Sequence, residues 1–137
     1  MPEQVLSKIY SVAMNSANAD LILAICLVES NFNPHVESEK GAIGLMGIMP
    51  DVWLEELKTK GIVSQQDDLY TISSNINSGI YVLGRYLART NNLRTALSRY
   101  AGGDPAYATR VLRMRGEISR ARHSEDEARL SALSAKG

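Results

Sequence analysis

The sequence predicts an all-α domain, with little or no sheet, of about six or seven helices. Three observations carry that expectation. Apolar residues recur at helical spacing through most of the chain. No alternating apolar and polar run is long enough for more than a short ribbon. At 137 residues, 45% of them hydrophobic, the chain is the size of one domain and can bury a core without staples.

Val5, Leu6, Ile9, Tyr10 and Ala13 fall at helical spacing, so the first segment reads as an amphipathic helix. Asn15 to Asn18 break it. Asp20 is a good N-cap for a second helix. From Leu21 to Val28 that helix is apolar all round, which predicts a place in the middle of the domain. Asn31, Asn33 and Pro34 end it, because the residue before a proline resists the α conformation. His35 to Pro50, with Gly41, Gly44 and Gly47, reads as a loop with room for a helical turn or a short two-stranded ribbon. Asp51 to Lys58 reads as a helix capped by Asp51, and Gly61 to Tyr70 as a polar connection. Ile72 to Arg89 is a strong helix with Ile76, Gly79, Ile80, Leu83 and Leu87 on one side. Leu93 to Tyr100 is another, ended by Gly102-Gly103-Asp104-Pro105, and Tyr107 to Met114 is a further short helix. The capping-box pattern Ser124-x-x-Glu127 predicts a last amphipathic helix over Glu125 to Ser134. The expected organisation is one domain over residues 1–122, then a C-terminal helix or frayed tail over 123–137.

Fifteen basic residues balance fifteen acidic ones, so neither nucleic acid nor an anionic membrane is expected as the main partner. Arg110, Arg113, Arg115, Arg120 and Arg122 still form a local basic stretch. It reads either as a solvated helix surface or as an attractor for acidic groups. Cys26, the only cysteine, lies inside the apolar run and reads as a buried, inert thiol. His35 and His123 have no Cys or His at ligand spacing, so no metal is expected. The longest apolar run, eight residues, is too short to span a bilayer, and the first ten residues lack the pattern of a signal peptide.

Glu29 is the residue with chemical promise. It follows the apolar run at the end of the central helix. Burial and the negative end of the helix dipole both disfavour a carboxylate there, so its pKa should rise. A carboxylic acid kept protonated near neutral pH suits general-acid cleavage of a glycosidic bond. Position alone also allows a plain helix-terminal glutamate that turns into solvent.

The surroundings separate the two readings. Glu29-Ser30-x-Phe32-Asn33-Pro34 is followed by Ser38, then by Gly41-Ala42-x-Gly44-Leu45-Met46-Gly47-Ile48-Met49-Pro50. Later come Asn75-Ile76-x-x-Gly79, Ala96-Leu97-x-x-Tyr100-x-x-Gly103 and Tyr107-x-x-x-Val111-Leu112. From about Asp20 to Leu112, in order and spacing, this series resembles the catalytic domain of the soluble lytic transglycosylase family, which has a goose-type lysozyme-like fold around a substrate cleft. The resemblance implies that Glu29 is the single catalytic acid/base. It implies that Ser30 fixes the local turn, that Ser38 contacts the N-acetyl group of the reacting sugar, and that Met49 lines the cleft. Tyr100 would support the glutamate through its hydroxyl, and Asn75 and Gly79 would belong to a helix backing the cleft. Core packing is the plain alternative for Met46 and Met49, and a buried aromatic with a satisfied hydroxyl for Tyr100.

Three positions depart from the family pattern. Its usual glutamine is Gly47 here, which removes a substrate contact or leaves room for a different one. Its Tyr-Asn-Ala-Gly reads Tyr100-Ala101-Gly102-Gly103, and a common later tyrosine is Val82. The activity implied is lytic cleavage of the bond between N-acetylmuramic acid and N-acetylglucosamine in peptidoglycan, giving a 1,6-anhydro end. The alternatives are a hydrolytic muramidase on the same fold and a non-catalytic peptidoglycan-binding or structural module. No cofactor is implied, and the expected state is a monomer acting on glycan strands without stable membrane insertion. The substrate lies outside the cytoplasmic membrane. The expected origin is therefore, first, a phage lysis or virion protein, with cargo of a secretion machine and a domain of a larger chain as the alternatives.

Overall fold

Helical spacing becomes six α-helices among the described residues, which are 2–123 and 131–134 of a computed structural model. They are α1 Glu3–Ala13, α2 Ala19–Ser30, α3 Pro50–Thr59, α4 Ile72–Thr90, α5 Leu93–Tyr100 and α6 Pro105–His123. A 3-10 turn, Gln66–Tyr70, precedes α4, and residues 131–134 are also helical. The architecture is all-α, as expected. None of the described helices is long and apolar enough to cross a membrane.

The apolar run puts α2 in the centre. Leu23, Ala24, Ile25 and Cys26 have no exposed surface. Helix α6 lies along α2, α5 packs on α4 and α6, and α1 covers α2 and α4. Helix α1 buries Leu6, Ile9 and Ala13, the face its spacing predicted. Burial pushes the Cys26 thiol up, so it stays protonated and inert.

The loop after α2 holds only isolated bridges, Glu37 to Ile43 and Ile43 to Ile48, and no strand forms among the described residues. Several boundaries differ from expectation. Asn18, not Asp20, occupies the cap position of α2; Asp20 sits in its first turn, where it pairs with Arg122 of α6. Helix α3 begins at Pro50 with Met49 as its cap, because proline suits a first helical position and Asp51 is already inside. The polar connection contains the 3-10 turn, closed by a reciprocal cap between Gln65 and Asp68. Helix α6 runs nine residues beyond Met114, carried by the buried Ile118 and Ala121. The Ser124–Glu127 capping pattern lies outside the described residues.

Candidate active site

Helix α2 ends immediately after Glu29-Ser30, through two left-handed residues, Asn31 (φ 51°) and Phe32 (φ 63°). The Asn31 N–H donates to the Leu27 carbonyl at 2.9 Å and the Phe32 N–H to the Cys26 carbonyl at 3.3 Å. That backbone region costs a non-glycine residue roughly 1–2 kcal/mol. The fully buried Phe32 ring offsets it, since such a ring gains a similar amount or more on leaving water. On the outside of the cap, Ser134 Oγ donates to Asn31 Oδ1 at 2.8 Å. The acid therefore stands on a fixed end rather than a frayed one.

The turn opposite it is held as firmly. Ile43 and Ile48 exchange backbone hydrogen bonds at 2.8 and 3.0 Å, and Gly47 N–H closes the intervening turn on the Gly44 carbonyl at 3.2 Å. Ser30 Oγ lies 2.7 Å from the Cys26 carbonyl and 2.9 Å from the Leu45 carbonyl, so this hydroxyl ties the turn to α2. From α4, the buried Asn75 accepts from Met46 N–H at 2.7 Å and donates to the Ile43 and Leu69 carbonyls at 2.9 and 2.7 Å. From α5, Tyr100 Oη donates to the Met46 carbonyl at 2.6 Å. Met46 is gripped on both sides of its backbone while its side chain fills the core against Gly79, where any Cβ would collide with its sulfur.

Gly47 comes next in the chain, with φ +65°. A Cβ there would sit 2.6 Å from Glu29 Oε1 and 2.9 Å from Cδ. The space left by the missing side chain is thus filled by the carboxyl group of Glu29. Glycine is required twice over here, for the left-handed backbone and for the close approach.

Burial is the largest influence on that carboxyl and raises its pKa from 4.5 to about 7. The Tyr107 hydroxyl and the Arg110 charge, both from α6, oppose the rise without cancelling it. Tyr107 Oη is buried and faces Glu29, but forms no hydrogen bond of full geometry among the described residues. Tyr107 stacks near-parallel on Tyr100, with ring centroids 6.2 Å apart, and Arg110 lies 6.0 Å above the Tyr107 ring. Burial holds the Tyr107 and Tyr100 hydroxyls protonated, as donors.

Glu29, Ser30, Gly47 and Tyr100 therefore converge on one turn. Tyr100 reaches it differently from expectation: its hydroxyl bonds the Met46 carbonyl, not Glu29, because α5 meets the turn from the backbone side. Ser38 lies on an exposed turn of the same loop, where its N–H donates to the Ala42 carbonyl at 2.8 Å and its Oγ accepts from the Ala42 N–H at 3.0 Å. Met49 is half-buried at the start of α3. Sequence reasoning missed Tyr107 and Arg110 as neighbours of the acid. Their three-residue spacing on one helix was the available signal.

A central buried helix that ends in a carboxyl group over a glycine turn, inside an all-α domain, fits the lysozyme-like class. The family model for the transglycosylase SLT domain matches residues 9–120, and the chain belongs to that family. It is similar to a membrane-bound lytic murein transglycosylase C of Glaesserella parasuis serovar 5 (strain SH0165), at 40% identity over 81 residues, which are 57% of this chain and 21% of the relative. The chain thus spans about a fifth of that relative's length. No solved structure matches it.

Proposed function

We propose that the protein is a peptidoglycan lytic transglycosylase with Glu29 as its only acid/base. The observation that carries this is the seat of Glu29: a carboxyl group raised to about 7 by burial, against a glycine that leaves it room. Family membership and the name of the relative support murein as the substrate class.

Most glycosidases flank the bond with two carboxylates. The other acids near the site in sequence, Glu37, Glu39, Asp51 and Asp104, are all exposed, which favours a one-acid route. Glu29 protonates the oxygen bridging N-acetylmuramic acid and N-acetylglucosamine, and the bond to the anomeric carbon breaks. The substrate's acetamido oxygen stabilises the positive charge left there. Glu29, now a carboxylate, takes the proton of the muramic C6 hydroxyl, whose oxygen closes on the anomeric carbon. The product is a 1,6-anhydro end, no water is consumed, and Glu29 returns to its starting state. No metal or cofactor takes part in these steps.

Ser38 and Met49 are assigned to substrate contact on the flank of the glycine-rich loop, with Tyr100 and Ser30 fixing the turn. Residues 1–122 are proposed as the catalytic unit, a monomer, with 123–137 as its C-terminal extension. Mass spectrometry of digested peptidoglycan tests the reaction, because anhydro and reducing ends differ by one water; reducing ends throughout would make the protein a muramidase. Binding of peptidoglycan without any cleavage would make it a wall-binding module. The wall is the place of action, reached first of all as a phage lysis or virion protein; the neighbouring genes test that route.

A further inference from the structure

One short segment brackets the acid from outside the stretch that the SLT family model covers. Residues 131–134 are helical and lie beyond that stretch. Leu133 packs against the core and shares a cavity of about 380 Å³ with Leu27, Val28 and Met114. Ser134 is buried; its Oγ donates to Asn31 Oδ1 at 2.8 Å and lies 3.3 Å from the Asn31 carbonyl. One side chain thus stands beside the residue before Glu29, and the other holds the residue after Ser30.

The bond to Asn31 acts on an unfavourable conformation. Asn31 is left-handed, with φ 51° and ψ 39°. The last turn of α2 stays closed only while it is so, because the Asn31 and Phe32 N–H groups then reach the Leu27 and Cys26 carbonyls. Glycine is the ordinary residue at such an end, and an asparagine there is usually helped by a local bond from its own side chain. Here the Asn31 amide oxygen is engaged instead by a serine 103 residues away. The hold matters most once Glu29 is ionised. A carboxylate in a dry seat favours any opening that lets water in, and unwinding the end of its own helix is such an opening. In the proposed reaction the acid is a carboxylate midway through, so the end must hold then.

We infer that Ser134 is a positioning residue for the acid: by bonding Asn31 it keeps the left-handed end of α2 closed and the Glu29 carboxyl against Gly47. The inference rests on the proposed role of Glu29. Ser134 touches neither substrate nor the carboxyl; it acts through Asn31 alone.

The test uses the full chain in two measurements, the titration of the ¹³C-labelled Glu29 carboxyl by NMR and the clearing of purified peptidoglycan against pH. The titratable groups that face the carboxyl are Tyr107 and Arg110 from α6, Tyr100 from α5 and Cys26 of α2, and all stay in place. Ser134→Ala should weaken the proton affinity of Glu29 about two- to fivefold, the loss of one neutral hydrogen bond that favours the closed end. Clearing should fall by the same factor at about pH 7.5, where the acid is mostly ionised, and stay within about twofold at about pH 5, where it is protonated. Asn31→Gly removes the side-chain acceptor and favours the left-handed end by itself, so in that background Ser134→Ala should change neither measurement by more than about twofold. An unmoved titration in Ser134→Ala overturns the inference. So does a loss of clearing that is equal at both pH values, as a tail that only stabilised the fold would give. A loss that persists in full in the Asn31→Gly background overturns it too, since the hold would not run through the end of α2. The titration is read without turnover, so the two readings fail separately: Glu29→Gln protein that still cleaves sinks the acid and leaves the hold, while an unmoved titration does the reverse.

Discussion

Glu29 at the end of α2 and Glu56 on α3 each face one tyrosine and one arginine. For Glu56 these are Tyr81 and Arg85, both hydrogen-bonded to its carboxylate at the surface of α4. For Glu29 they are Tyr107 and Arg110 on α6. The outcomes are opposite. The Tyr81 hydroxyl and the Arg85 charge hold Glu56 below the usual carboxylate range, whereas burial lifts Glu29 to about 7 despite its similar neighbours. The identity of the neighbours therefore does not decide which carboxylate can act as an acid near neutral pH. Removal of water does.

The largest effect should come from removing the buried acid. Glu29→Gln is expected to lower clearing of purified peptidoglycan by at least about a thousandfold, while Glu56→Gln leaves it within about twofold, both read by turbidity. Equal losses would erase the distinction between the two sites.

The pH dependence of stability should carry opposite signs. Glu29 binds its proton more tightly in the folded chain than in the unfolded one. Stability is therefore fullest below about 4.5 and falls as pH rises through about 7, by on the order of 3 kcal/mol at most. Glu56 is the reverse: its contribution is present above the ordinary carboxylate pKa and is lost as pH falls through its lowered value. Urea denaturation at a series of pH values measures both. Glu29→Gln should flatten the fall between pH 4.5 and 7, and Glu56→Gln should leave it in place.

Smaller effects sharpen what the seat does. Gly47→Ala should displace the Glu29 carboxyl toward water, lowering its pKa and reducing kcat about tenfold with little change in KM. Gly41→Ala is the control, because it has a similar positive φ (+91°) with nothing near its Cβ. It should lose stability but keep the acid's titration. Tyr107→Phe removes a group that pulls the Glu29 pKa down, so the alkaline limb of the pH–rate profile should move upward, with a change in rate of about two- to fivefold.

Much of this was legible in the sequence for physical reasons. The apolar run predicted a central helix, which left the carboxyl at its end either short of water or turned into solvent, and the surrounding motifs favoured the first. The Gly44–Gly47 turn was visible as a loop, and Ser30 ties it to α2. What was not legible depends on how segments approach one another. Tyr107 and Glu29 are far apart in sequence, and only the packing of α6 along α2 sets that hydroxyl against the acid. Tyr100 was visible as a functional tyrosine, but the angle of α5 decides that it bonds a backbone carbonyl. The absence of a side chain at Gly47 was plain, whereas what fills the space follows from the rotamer of Glu29. Asp20 looked like a cap because its partner, Arg122, is 102 residues away.

Asn75 has a consequence for motion. One amide side chain joins the Gly44–Met46 turn, the 3-10 turn and α4, and all of its bonds are buried. None of the three segments can open alone without stranding a polar group, so they should open as a single cooperative unit. The Met46 amide proton reports on that unit. In hydrogen-exchange experiments it should exchange at the rate of the Ile43 and Ile48 amides, and Asn75→Ala should speed all three together. The floor under the acid would then yield only in the slow, collective openings of the native state.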